Sequence, residues 1–114
     1  MKVVNLTPHD IVVRLAKKDL IYPASGKSAR VAINATEQDP LVVDGDKIPI
    51  VVNNYGSVDA PAPEDGTIYL VSLQALEACK RPDMLAPDTS PAGVVRDPSG
   101  RVVAVRRLIK ALTA

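Results

Sequence analysis

The sequence predicts a mainly β protein, a β-rich α+β fold built as a small barrel or two-sheet sandwich of about eight short strands with one short helix near residues 73–80. Three observations point there. Sixteen valines stand against no Phe and no Trp, and the branched Cβ of valine restricts χ1 and suits a pleated surface. Ten prolines and six glycines cut the chain into brief segments. Strong turn signals, Asp44-Gly45 and Asp97-Pro98-Ser99-Gly100, lie between β-branched runs. At 114 residues, the whole span 1–114 is expected to form one domain.

Val3 to Leu6 and Ile11 to Leu15 are expected as two strands of a hairpin around Thr7-Pro8-His9-Asp10, where proline pre-sets φ. Lys17-Lys18-Asp19 makes the next turn, and Leu20-Ile21-Tyr22 stops at Pro23. After the polar loop 23–28, Ala29 to Asn34 alternates with the period of a half-buried strand. Leu41–Val43 and Ile48–Val52 flank Asp44-Gly45-Asp46-Lys47, a hairpin signal because both turn residues tolerate φ > 0. Pro49 confines the second arm to an edge or a bulge. Residues 53–65, rich in proline near their end, are expected as a long surface connection.

Thr67 to Val71 is a further strand, and Ser72 can cap a helix from Leu73 to about Lys80, with Leu73, Leu76 and Lys80 on one face. Pro82 ends it. The stretch Pro87-Asp88-Thr89-Ser90-Pro91 is a turn, followed by a hairpin whose arms are Val94–Arg96 and Arg101–Arg107. Residues 107–112 are left between a last helical turn and a tail. Alternating β-α units are not evident, which argues against a doubly wound sheet.

A net charge of +1 argues against nucleic acid as a partner, because such surfaces usually carry a marked basic excess. Arg101, Arg106, Arg107 and Lys110 form a local basic end. A single cysteine, Cys79, excludes an internal disulfide. No apolar run reaches membrane-spanning length, and the N-terminus lacks the pattern of a signal peptide. The expectation is a cytoplasmic protein without membrane contact.

Gly26-Lys27-Ser28 resembles the end of a phosphate-binding loop, but Ile21 stands where that motif needs glycine. Ser25-Gly26 can still present backbone amides to an anion. One histidine and one cysteine are too few ligands for zinc, and no cofactor or catalytic residue is indicated. A hydrolase would need His9 beside an acid and a nucleophile drawn from distant positions. His9, at its proline turn, is a candidate ligand contact. Asp88, Thr89, Ser90 and Arg96 form the most suggestive constellation: hydroxyls and a carboxylate suit ribose or amide groups, and the guanidinium fork suits phosphate or carboxylate. The local alternative has Asp88 capping its turn, Thr89 and Ser90 satisfying backbone groups, and Arg96 pairing with Asp97 or Asp83.

Several segments occur together in an order that resembles a group of short proteins from tailed bacteriophages and prophages. They are Asn5-Leu6-Thr7-Pro8-His9, Pro23-x-Ser25-Gly26 followed by Ala29-Arg30-Val31, Tyr55-Gly56, Gly66 to Ser72, Pro87 to Pro91, and Val95 to Leu108. The resemblance covers nearly the whole chain and implies a bacterial cytosol and an accessory phage role, without a recognised activity or cofactor.

Two functions follow as expectations. The first is a non-enzymatic small-ligand-binding protein, sequestering a nucleotide-derived host immune signal. Here Arg30 and Arg96 would meet phosphates, Thr89 and Ser90 the sugar, Tyr55 a base, with His9, Ser25 and Asp88 completing a polar pocket. A core without Phe or Trp also favours a homo-oligomer, with pockets between subunits. The second is a protein-interaction or assembly factor, a host-protein inhibitor or minor virion component, with no small-molecule site.

Overall fold

The computed structural model describes residues 1–112. Eight strands of three or four residues build two four-stranded sheets, and two strands of fourteen residues build a separate ribbon. In chain order they are β1 (Lys2–Asn5), β2 (Ile11–Arg14), β3 (Asp19–Tyr22), β4 (Arg30–Val43), β5 (Asp46–Asp59), β6 (Thr67–Leu70), α1 (Leu73–Cys79), β7 (Met84–Pro87), β8 (Val94–Arg96), β9 (Val102–Val105) and β10 (Leu108–Lys110). The fold is β-rich α+β, as the valine content and punctuation predict.

One sheet has the order β1-β6-β7-β10, the other β3-β2-β9-β8. They pack face to face. Leu70, with Val3, Leu85 and Leu108 beside it, meets Ile11, Val13 and Val105 of the second sheet, edged by Leu20 and Tyr22. Because side chains alternate along a strand, Tyr69, Met84 and Ala86 point to the opposite face of the first sheet. There they meet Leu6, Val71, and Ala75 and Leu76 of the helix. The result is sheet, sheet, helix, with the largest fully buried side chains (Leu70, Leu76, Met84) in the shared middle layer and the helix.

The helix has the boundaries its caps dictate. Ser72 is extended (φ −67, ψ 158) and its Oγ accepts from the Ala75 N–H at 3.2 Å. Lys80 adopts the left-handed region (φ 51, ψ 38) and donates its N–H to the Leu76 carbonyl at 2.8 Å. This helix joins β6 to β7, which run parallel (Tyr69↔Met84, Leu70↔Leu85). One β-α-β unit is therefore present where none was expected. At seven residues the helix is too short to announce a crossover, and Met84–Pro87 gives no alternating pattern because its two buried residues, Met84 and Ala86, are flanked only by half-buried ones.

The N-terminal hairpin is also corrected. β1 pairs with β6 (Lys2↔Thr67), whereas β2 pairs with β3 and β9 (Ile11↔Tyr22, Val13↔Val105). Thr7–Asp10 thus carries the chain from one sheet to the other. Asn5, 2% exposed, holds that crossing: its Nδ2 donates to the carbonyls of His9 and Tyr22, each at 2.8 Å, and its Oδ1 accepts from the Thr7 N–H and Oγ. One side chain thus satisfies the Thr7 N–H and the His9 carbonyl of the turn, and Leu6 continues beside β6 by donating to Leu70 O.

The largest departure lies in the middle of the chain. Ala29–Asn34 and Leu41–Val43 belong to one long strand, and residues 53–59 complete its partner rather than a loop. Register runs from Arg30↔Asp59 to Val43↔Asp46, with bulges between Val31 and Ile33 and between Gln38 and Leu41. The tip is the tight turn expected of Asp44-Gly45, both at positive φ (50 and 83). This arm gives the molecule a radius of gyration of 17.4 Å, against about 13 Å for a compact chain of this length. Residues 107–112, finally, contain β10, antiparallel to β7.

Candidate functional site

A groove of about 400 Å³ opens where the crossing segment Thr7–Asp10, β9 and the start of α1 meet. Val71, Leu73 and Val102 to Val105 supply apolar walls, and Thr7, His9, Asp10, Ser72 and Thr89 supply the polar atoms. Asp10 is tied to the loop beyond β3, accepting from the Ala24 N–H at 2.9 Å. His9 is exposed, with its backbone carbonyl accepting from Asn5 Nδ2 at 2.8 Å. Of the expected ligand contacts, His9 and Thr89 meet here.

The others are elsewhere. Asp88 is 5% exposed and turned inward. Its Oδ1 accepts from the Ser90 N–H at 2.9 Å and its Oδ2 pairs with the Arg107 guanidinium. Those two bonds hold its carboxyl down at about 2, Arg107 contributing most and Ser90 next. Its backbone N–H also donates to Arg107 O, and Gly93 lies directly against it. Asp88 therefore clamps the end of β7 to the start of β10.

Ser90 gives its carbonyl to the N–H groups of Gly93 and Val94. Arg96 reaches across its own hairpin to the Gly100 carbonyl at 2.8 Å, while Asp97 accepts from Ser99 and Arg101. Ser25 donates to the Asn5 carbonyl at 2.7 Å and accepts from the Lys27 N–H. Arg30 sits exposed at the foot of the arm, opposite Asp59. Tyr55 projects from β5 towards α1 and helps line a second cavity, about 550 Å³, with Leu73, Leu76, Lys80 and Ile109. Arg30, Arg96 and His9 do not converge.

The groove residues missed by sequence reasoning are Val102 and Val103, 47% and 40% exposed although adjacent in one strand. Alternation would bury one of them, so no local signal marks both as open. No arginine or lysine lines the groove among the described residues. Its chemistry therefore suits a small ligand with a large apolar surface and a few hydrogen-bonding groups rather than a phosphate.

No family model, curated protein or solved structure matches the chain. Among the described residues there is no group of three or more His, Cys, Asp or Glu placed to hold a metal ion. None of their helices is long and apolar enough to cross a membrane. Burial pushes the Cys79 thiol up, which disfavours the reactive thiolate.

The feature with the most chemistry on offer is the arm. Of sixteen large hydrophobic side chains exposed among the described residues, nine lie on β4 and β5, among them Leu41 (51%), Val42 (59%) and Val51 (50%). Cross-strand pairs share a face, so Leu41↔Ile48, Gln38↔Ile50 and Thr36↔Val52 look one way, and Glu37↔Val51, Val42↔Lys47 and Ile33↔Tyr55 the other.

Proposed function

We propose that the protein is an interaction and assembly factor that docks another protein surface through the β4–β5 arm. The observation that carries the reading is the exposure of nine large apolar side chains on a two-stranded ribbon with no third strand and no core beneath its outer length. An isolated hairpin is marginal in water, and soluble monomers rarely leave so contiguous an apolar surface uncovered. A partner that covers it supplies the missing layer. The resemblance to small phage and prophage proteins supports a setting in the bacterial cytosol, with the chain acting on a host protein or within a virion.

The test is crosslinking at Lys47, the lysine beside the arm's tip, in cells that make the protein at native level. Intermolecular crosslinks from Lys47 are expected, and only intrachain ones would remove the reading.

A second reading rests on the groove at His9 and Thr89: sequestration of a small ligand. A nucleotide-derived immune signal, the case implied by analogy with small phage sponge proteins, would seat its base and sugar there with its phosphates turned to solvent. The groove provides hydroxyls, one imidazole and an apolar wall, while Arg30 and Arg96 stand apart from it. Titration with nucleotides and cyclic nucleotides tests it. A rise in melting temperature that His9→Ala abolishes supports it, and no shift with any of them removes it.

A further inference from the structure

The arm's two faces differ in a way that identifies what covers it. One face presents Leu41, Val43, Ile48, Ile50 and Val52 with a single charge, Asp46, at the tip, and ends near the root in Asn34 and Asn54. The other interrupts its apolar residues with Glu37, Lys47 and Asn53. Charge is segregated as well. Residues 30–59 hold two basic residues against five acidic ones, Glu37, Asp39, Asp44, Asp46 and Asp59, whereas the rest of the chain holds twelve basic against eight acidic. The arm is thus net −3 and the body net +4.

We infer that the partner of the arm is a second copy of this chain, in a two-fold dimer whose arms lie antiparallel through the Leu41–Ile48–Ile50–Val52 face, each acidic tip reaching the other's basic body. The inference rests on the interaction reading of the arm above. A two-fold contact must be self-complementary. This face meets that condition: with the arms overlapped along their full length the axis falls beside Val52, which has Ile50 next to it on the same face, so apolar side chains meet there. On the opposite face Ala35 and Asn53 occupy that place with Glu37 two residues away, so a polar amide and two nearby carboxylates would be buried at the axis.

The areas suffice. Fourteen residues at about 3.4 Å make a ribbon about 48 Å long, and two strands about 4.8 Å apart give a width near 10 Å, hence about 480 Å² per face and about 1,000 Å² for the pair. That reaches the lower bound for a specific association before the tips add theirs. Edge-to-edge pairing is the alternative geometry, and the arm resists it. Pro40 and Pro49 lack the N–H a ladder needs, and the bulge between Gln38 and Leu41 bends that edge.

The experiment is sedimentation of wild type, Ile50→Glu and Val51→Glu at tens of micromolar chain. Ile50 and Val51 are neighbours on opposite faces, 40% and 50% exposed. Val51→Glu, which falls opposite Glu37 whereas Ile50→Glu falls opposite Gln38, is the harsher of the two changes for the folded arm. Wild type and Val51→Glu are expected as dimers, and Ile50→Glu as a monomer with an unchanged far-ultraviolet spectrum. Crosslinking a mixture of isotopically light and heavy protein should then yield mixed pairs through Lys47 in wild type and none in Ile50→Glu.

A monomeric wild type overturns the inference, as does a dimer that survives Ile50→Glu or is lost equally in Val51→Glu. If wild type is monomeric but Lys47 crosslinks to a different protein in cells, the interaction reading stands and only self-association falls. If Lys47 makes no intermolecular crosslink of any kind, both fall.

Discussion

Gly93 is the position at which a single methyl group should do most damage to the body. A Cβ placed there would lie 2.5 Å from Asp88 Cγ, 2.6 Å from the Asp88 carbonyl oxygen and 2.6 Å from Oδ2. These are all well inside van der Waals contact. Alanine meets no backbone conflict of its own at this site, so the whole cost comes from displacing Asp88. That side chain cannot swing away freely, because it is held by the Ser90 N–H and by Arg107. The backbone carbonyl is fixed between β7 and β8 by the Asp88 N–H to Arg107 O and Arg106 N–H to Gly93 O bonds (3.1 and 2.7 Å).

Overpacking of this kind costs about 1–3 kcal/mol, and for a domain of this size each kcal/mol lowers the melting temperature by about 4 °C. Gly93→Ala should therefore melt about 4–12 °C below wild type, followed by far-ultraviolet circular dichroism at pH 7. Asp88→Ala combined with Gly93→Ala removes the carboxyl contacts but leaves the carbonyl, so the pair should not return to the stability of Asp88→Ala alone. A drop smaller than about 2 °C for Gly93→Ala would refute the contact.

Further outcomes follow from the same structure. Asp88 has its carboxyl lowered from an ordinary 3.8 to about 2, so the stability it contributes is complete above about pH 4 and lost as pH falls through about 2. Acid titration of unfolding should show a steeper limb in wild type than in Asp88→Asn, where the lowered carboxyls of Asp83 and Asp97 still contribute. Asn5→Ala strips partners from the His9 and Tyr22 carbonyls and from Thr7, and should cost about 2–4 kcal/mol in urea unfolding. A cost below about 1 kcal/mol would mean water replaces the amide. Replacing residues 32–57 with Asn-Gly should leave a folded body, because the residues that pack on the core there, Ala29, Val31 and Ala60, all lie outside the replaced span. Its melting temperature should be independent of concentration where that of wild type rises.

What could be read from the sequence was what is decided locally. Asp44-Gly45 and Gly100 take the positive φ their turns demand, and Ser72 caps the helix that follows it. Pairings between distant segments could not be read. Val3 and Ile11 look alike as short apolar strands, and nothing beside them in sequence tells which sheet each joins; Asn5, bonded to Tyr22 seventeen residues away, holds the crossing between them. The arm's tip hairpin was legible, but its full length was not, because the alternation that betrays a strand arises from burial on one face, and residues 34–40 bury neither. The site was legible in part. His9 and Thr89 do share a groove, whereas Ser25, Ser90 and Arg96 spend their polar atoms on nearby backbone.

The longest strands of this protein contribute least to its core. Both hydrophobic clusters close around the two small sheets and α1, and between Val31 and Ala60 the ribbon adds nothing to either. A core of this kind, with Leu, Val and Met as its largest fully buried apolar side chains, keeps its architecture whether or not the arm is ordered. The arm's own backbone bonds, by contrast, have only one neighbouring strand and solvent on both faces. Opening of a segment costs little when few apolar contacts close over it. Arm amides in an isolated chain should thus exchange with solvent far faster than those of β6 and β7. Once its apolar face is covered, the same amides should slow towards the body's rate. The exchange rate of the Ile48–Val52 amides therefore reports occupancy of the arm directly, and it does so without any assumption about which partner is bound.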